Sequence, residues 1–188
     1  MSEHMQQIKG QCLYAHIDTP IGTICHHLRD DDVNRIIIRG KDDHAIGFVP
    51  LSQILRLLSH ESRYLDGLLA QMSLQEIMQA IEGFFFHQPG PDVHCRRFML
   101  LPDPDRKDLR QAFVICEGNR SAVEKMLRSQ ASCIVAASQN VISGSLIEEA
   151  EQQGIVFAGT NLSAVDAAQA LLMKIPVGMM MQRFSLHD

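Results

Sequence analysis

Several groups of side chains in this chain are of a kind that does chemistry. Cys25-His26-His27 and the pair His94-Cys95 supply thiol and imidazole, the usual zinc ligands. Neighbouring residues on a helix project about a third of a turn apart, so Cys25, His26 and His27 do not converge on one ion, and no metal site is expected. His94-Cys95-Arg96-Arg97 reads as an alternating strand with a polar outer face. Cys116 lies near Glu117 and Arg120, and a nearby cation and a helix start both favour thiolate. Its place at the end of an apolar run also fits a buried strand cysteine, which is the expectation. Gly118-Asn119-Arg120-Ser121 has the helix amides and the arginine that a phosphate would meet; the same residues also make a plain strand-to-helix turn. Met179-Met180-Met181 serves as core packing or as a flexible contact surface, with packing the default. No nucleophile–base pair, suggestively spaced carboxylate pair or phosphate-binding glycine loop stands out, so no catalytic residues are expected.

A repeating unit must position most of these residues. Ala112 to Cys116 is a short apolar run stopped by Glu117-Gly118-Asn119-Arg120, after which Ser121 opens a segment with Val123, Met126 and Leu127 at helical spacing. Residues 132–137 form a second strand. In the helix that follows, 144–154, Leu146, Ile147 and Ala150 share a face and Gly154 suits the stop. A third strand, 155–158, leads through Gly159-Thr160-Asn161 into an Ala/Leu-rich helix over 162–173, and Pro176-Val177-Gly178-Met179 reads as a return toward the sheet. Strand–helix units in succession predict a mainly parallel, largely buried sheet flanked by helices.

The first 60 residues form a second α/β unit. Gln11 to Ile17 is strand-like, and Asp18-Thr19-Pro20 sets a cap before a proline suited to the first helical turn. The helix runs to about Arg29 with Ile21, Ile24 and Leu28 on one face. Val33 to Arg39 is a buried strand; Gly40 to His44 makes the turn and Ala45 to Val49 is the antiparallel partner. A helix over Leu51–Leu58 closes the unit. Residues 61–83 read as helix with an internal restart, where Ser73-Leu-Gln-Glu76 has capping-box spacing and Gly83 marks the end. Phe84 to Pro91 is an aromatic step into a turn, and Pro102 to Asp108 is an exposed charged loop.

The whole chain has 188 residues and a net charge of −5, which argues against a nucleic-acid surface. No apolar stretch reaches the roughly 20 residues of a membrane span, and Met1 to Gly10 lacks the apolar core of a signal peptide. A cytoplasmic protein without a membrane or nucleic-acid partner is expected, its five cysteines reduced.

The order strand, helix, strand, turn, strand, helix in residues 1–60 resembles a CBS domain, and Ala45-Ile-Gly-Phe-Val-Pro-Leu-Ser-Gln-Ile-Leu55 is similar to its closing motif. That family's Gly-apolar-apolar-Thr-x-x-Asp lies at a nucleotide cleft. Gly47 and Phe48 match, Pro50 stands for the threonine, Gln53 for the aspartate, and Ser52 is a nearby hydroxyl. Proline lacks the hydroxyl and the backbone donor, while glutamine still bonds a ribose without charge. The second half, from Val-Ile-Cys-Glu-Gly-Asn-Arg through Ile-Val-Phe-Ala-Gly-Thr160 to Lys174-Ile-Pro-Val-Gly, resembles a DRTGG domain. Arg120 and Thr160 remain of its polar set, with Asn119 and Ala137-Ser138-Gln139 in place of its other motif residues.

Together with Ser73 to Gly83, this layout is similar to the regulatory region of family II, manganese-dependent inorganic pyrophosphatases, in which a DRTGG domain lies between two CBS motifs. The tail from Pro176 resembles the opening of a second CBS motif. The expected division is a CBS-like unit over 1–60, a helical linker over 61–91 and a DRTGG-like domain over 92–188. The resemblance implies a regulatory module that binds an adenine nucleotide (AMP, ATP or a diadenosine polyphosphate) through Gly47, Phe48, Ser52, Gln53, Arg120 and Thr160. Its output would be a catalytic domain in cis or in trans, the pyrophosphatase metal motif being absent from this sequence. The alternative is an assembly module that has lost the ligand. A homodimer is expected in either case, with 45–58 and the apolar helices of the second half at its interface.

Overall fold

The computed structural model describes residues 5–7, 12–28, 33–58, 62–88, 90, 93, 95, 97–103, 105, 108–138 and 142–183, of which 5–7, 62–65 and 183 by backbone alone. Along the chain run β1 (Met5–Gln7), β2 (Cys12–His16), α1 (Ile21–His27), β3 (Arg35–Arg39), β4 (Ala45–Pro50) and α2 (Leu51–Leu58). Next come α3 (Ser62–Leu69), α4 (Leu74–Ala80), β5 (Gly83–Phe85), β6 (Arg97–Leu100), β7 (Ala112–Glu117) and α5 (Arg120–Leu127). They are followed by β8 (Cys133–Ala137), α6 (Gly144–Gln152), β9 (Val156–Thr160), α7 (Ala164–Lys174), a 3-10 turn over Val177–Met180 and β10 (Gln182–Arg183). The fold is mixed α/β, with two five-stranded sheets flanked by helices.

The chain divides into two compact units, one comprising Met1–Glu61 with Leu172–Asp188 and the other Ser62–Leu171. Residues 62–91, read in the sequence as a linker, therefore fold with the second unit. The tail, read as part of the second domain, folds with the first.

In the first unit the strand order is β1-β2-β3-β4-β10, with β2 and β3 parallel and the other neighbours antiparallel. Alternation sets the buried face: Leu13 and Ala15, Ile36 and Ile38, Gly47 and Val49 point inward. Ile21 and Ile24 of α1 and Ile54 and Leu57 of α2 are buried with them. The β3–β4 turn closes by Gly40 N–H donating to His44 O at 3.0 Å, with Asp43 at φ 59°. Arg39 braces it, lying 4.6 Å from the Tyr14 ring centroid and 3.2 Å from the Asp43 carboxylate.

Pro20 is itself the N-cap residue of α1; its side chain has no acceptor to cap with, and Ile21 N–H donates instead to Ile175 O at 2.9 Å. The N-terminal stretch also contributes an edge strand, β1, that the polar sequence did not announce.

In the second unit the order is β5-β9-β8-β7-β6, parallel from β6 to β9 with β5 antiparallel at one edge. Residues 112–116, 133–137 and 156–160 are all buried, as strands covered on both faces must be. Val114, Ile134 and Phe157 form one core with Val123 and Leu127 of α5 and Leu146 and Ala150 of α6. Gly154 ends α6 at φ 70°.

The capping box before α4 is present: Ser73 Oγ accepts from Glu76 N–H at 3.2 Å, and Glu76 Oε2 accepts from Ser73 N–H at 2.8 Å. Gly83 does not simply end this helix; α4 stops at Ala80 and Gly83 starts β5. A Cβ there would lie 2.3 Å from Met78 Cε, the movable end of a flexible side chain, and 3.3 Å from Gly159 O. At the opposite edge, Asp66 Oδ1 accepts from Phe98 N–H at 2.7 Å, satisfying a donor of β6. Among the described residues, no helix is long and apolar enough to cross a membrane.

Candidate functional site

The first unit gathers a set of residues around the end of β4. Gly47 and Phe48 lie on β4, and Ser52 and Gln53 follow in the first turn of α2. Leu51 N–H, at the helix start, donates to Asn34 O at 3.0 Å, which fixes α2 against the start of β3. Ser52 is exposed, whereas Gln53 is half-buried with its Oε1 enclosed and without a hydrogen-bond partner.

The tail completes this region. Val177 N–H donates to Thr19 O at 2.8 Å and Gly178 N–H to Ile17 O at 2.9 Å, so the tail crosses the β2–α1 turn. β10 then pairs with β4, Gln182 opposite Phe48 and Arg183 opposite Gly47. Glycine is required at both crossings. A Cβ on Gly178 would fall 2.6 Å from Ile17 O, and one on Gly47 would fall 2.4 Å from Gln182 O and 2.6 Å from Met181 Cγ. Gly178, Met181 and Gln182 thus stand against the predicted site, to which the motif in 45–55 does not assign them. The only signal was the likeness of the tail to a CBS-motif opening, which does not reveal which strand the tail joins.

The two site residues expected in the second unit are placed differently. Arg120 opens α5 after β7, and its Nε donates to Glu124 Oε1 at 2.7 Å on the exposed face. Asn119 caps the helix, its Oδ1 accepting from Ala122 N–H at 3.0 Å. Thr160 ends β9 and is fully buried. Its hydroxyl donates to Ile81 O at 2.7 Å and accepts from Leu162 N–H at 3.2 Å. Both residues lie at carboxyl ends of parallel strands, but β8 separates β7 from β9. The polar groups of Thr160 are committed to the backbone.

The cysteines behave as interior groups. Burial, reinforced by the Glu117 charge, pushes the Cys116 thiol up to about 12, in line with the expected buried strand cysteine and against the activated-thiol alternative. Burial likewise pushes Cys95 up to about 11, and raises Cys25. His94 lies outside the described residues. Among those described, no three His, Cys, Asp or Glu side chains gather to hold an ion.

The second unit also contains an open cavity of about 360 Å³ beside α4, lined among others by Met72, Ser73, Ile77, Phe85 and Cys95. Its serine hydroxyl is already used in the capping box, donating to Glu76 Oε2 at 2.7 Å.

No protein-family model matches this sequence, and no curated protein does. Among solved structures, the fold matches the CBS and DRTGG domains of the regulatory region of Clostridium perfringens pyrophosphatase, complexed with its activator diadenosine tetraphosphate. The match has a TM-score of 0.60 at 14% identity and covers 98% of this chain and 81% of that one. The chain therefore shares the fold of a CBS and DRTGG domain pair.

Proposed function

We propose that this chain is a regulatory, non-catalytic module that senses an adenine nucleotide and controls an enzyme attached to it or met as a partner. The observation that carries the reading is the arrangement around β4: Gly47 and Phe48, the start of α2 and the returning tail meet in a fold shared with an activator-binding regulatory region. In this reading Gly47, Phe48, Ser52 and Gln53 contact an AMP, ATP or diadenosine polyphosphate, and Arg120 is a solvent-facing cation available to phosphate. Thr160 holds the backbone at Ile81 and Leu162. The mechanism is a population shift: a nucleotide that binds one arrangement of a homodimer more tightly moves the balance toward that arrangement, and the partner enzyme responds. A pyrophosphatase is the output that the shared fold brings to mind.

The second reading is a dimerisation module without a ligand. It is favoured by Pro50, which offers neither hydroxyl nor backbone donor, and by the pairing of Arg120 with Glu124. Calorimetric titration of the Ser52→Ala and Arg120→Ala variants with AMP, ATP and diadenosine tetraphosphate separates the two. Weakening by Ser52→Ala supports the site at α2, and weakening by Arg120→Ala brings in the second unit. Heat from none of the nucleotides, in the parent or the variants, supports the assembly reading.

A further inference from the structure

Three phenylalanines in a row, Phe84 to Phe86, run along the β5 edge of the second sheet, and they divide between its two faces. Successive side chains of an extended chain leave on opposite sides, so Phe84 and Phe86 share one side. Their rings meet edge to face at 5.3 Å, and Phe86 lies 4.8 Å from the ring of Phe157 in the core. Phe85 leaves on the other side, where it is half-buried and borders the open cavity of about 360 Å³ beside α4. Met72, Ile77, Val93 and Cys95 line the cavity with it, and Ala70 and Gln75 reach it from exposed positions.

The chemistry of this lining is selective. Among the described residues, no charged side chain lines the cavity. The Ser73 hydroxyl is spent on Glu76, and burial pushes the Cys95 thiol up to about 11, which leaves it neutral near pH 7. A phosphate or carboxylate entering here would give up water and meet no counter-charge. An uncharged ring meets better partners: Phe85 is an aromatic neighbour, and the Met72 thioether and Cys95 thiol are soft, polarisable groups that pack well on rings. The Gln75 amide supplies both a donor and an acceptor to a polar edge. The volume lies at the low end of the roughly 300–1,000 Å³ of small-molecule pockets, which suits one or two rings.

We propose that the cavity bordered by Phe85 is a second ligand site of this chain, separate from the region around β4, and that it takes a small uncharged molecule carrying an aromatic ring. The proposal does not rest on the nucleotide-sensing reading, because it concerns a ligand without phosphate.

The test titrates the full chain with 1-aminonaphthalene, an uncharged two-ring fluorophore whose emission moves to the blue in an apolar site. The chain contains no tryptophan, so the probe is read without competing indole emission. Saturable binding with a dissociation constant below about 1 mM is expected. Ala70→Phe and Gln75→Phe, which obstruct the cavity from exposed positions and so spare the core, should each weaken it by about tenfold or more. Phe85→Leu, which keeps an apolar side chain and removes the ring, should weaken it by about threefold or more; Phe85→Met repeats that measurement should the leucine variant not be recovered folded. A parent that gives no saturable signal overturns the proposal, as does a signal that neither obstructing variant changes, because the probe then lies elsewhere. Binding that survives loss of the Phe85 ring unchanged overturns the assignment to an aromatic ligand. Competitive displacement of the probe by AMP overturns the separateness of the site, whereas a parent that binds the probe and no nucleotide overturns the sensing reading alone.

Discussion

Gly178 and Gly47 are where a missing side chain decides the course of the backbone. At Gly178 the obstacle is the Ile17 carbonyl oxygen, 2.6 Å from the position of a Cβ, and a main-chain atom does not yield as a flexible side chain does. Gly178→Ala is expected to lower stability by about 1–3 kcal/mol, read from the urea midpoint. An unchanged midpoint would place the tail elsewhere. Thr160 makes the opposite point, since its value lies in the hydroxyl: Thr160→Val strands the Ile81 carbonyl and the Leu162 N–H. A loss of about 1–3 kcal/mol is expected, and a variant as stable as its parent would contradict the structural role assigned to Thr160. For Cys116, a thiol pushed up to about 12 and buried in β7 should resist alkylation at pH 8 in the folded chain. Fast labelling of Cys116 under those conditions would revive the activated-thiol reading.

At the scale of elements, the capping box at α4 makes a pH-dependent prediction. The Ser73 hydroxyl and backbone donors hold the Glu76 carboxyl below its ordinary range. A lowered folded-state value means that the box contributes fully above the usual glutamate range and is lost as pH falls through the lowered value. Hydrogen exchange at the α4 amides should accordingly quicken between neutral pH and about pH 3, after correction for the intrinsic rate. Glu76→Gln, which cannot titrate, should flatten that change, and equal behaviour of the two proteins would contradict it.

The same box shows which elements a sequence reveals. It was legible because its partners lie within one turn of each other, and β7, β8 and β9 were legible because strands buried on both faces read as unbroken apolar runs. β1, β5 and β10 were not read as strands. Each is three residues or fewer and owes its conformation to a distant partner: Met5 lies opposite Ala15, Phe84 opposite Gly159 and Gln182 opposite Phe48. Local pattern carries no record of such pairings. The candidate site is divided in the same way, with Gly47 and Gln53 readable from one motif and the tail that meets them visible only in three dimensions.

For the whole molecule, the reading requires a dimer whose geometry a ligand can bias. Leu55 on α2 is 57% exposed, beside the half-buried Leu51 and Leu58 on the same stripe, and the dimer interface expected over 45–58 would cover it. Leu55→Glu should shift the mass in solution toward the monomer, and a chain already monomeric at micromolar concentration would remove the dimer from the account. The central claim, that this fold senses an adenine nucleotide, is tested most directly by calorimetric titration of the unmodified chain with AMP, ATP and diadenosine tetraphosphate. Saturable heat with at least one of them is the predicted result. The absence of heat and of any thermal shift from all three, in a folded protein, would contradict it.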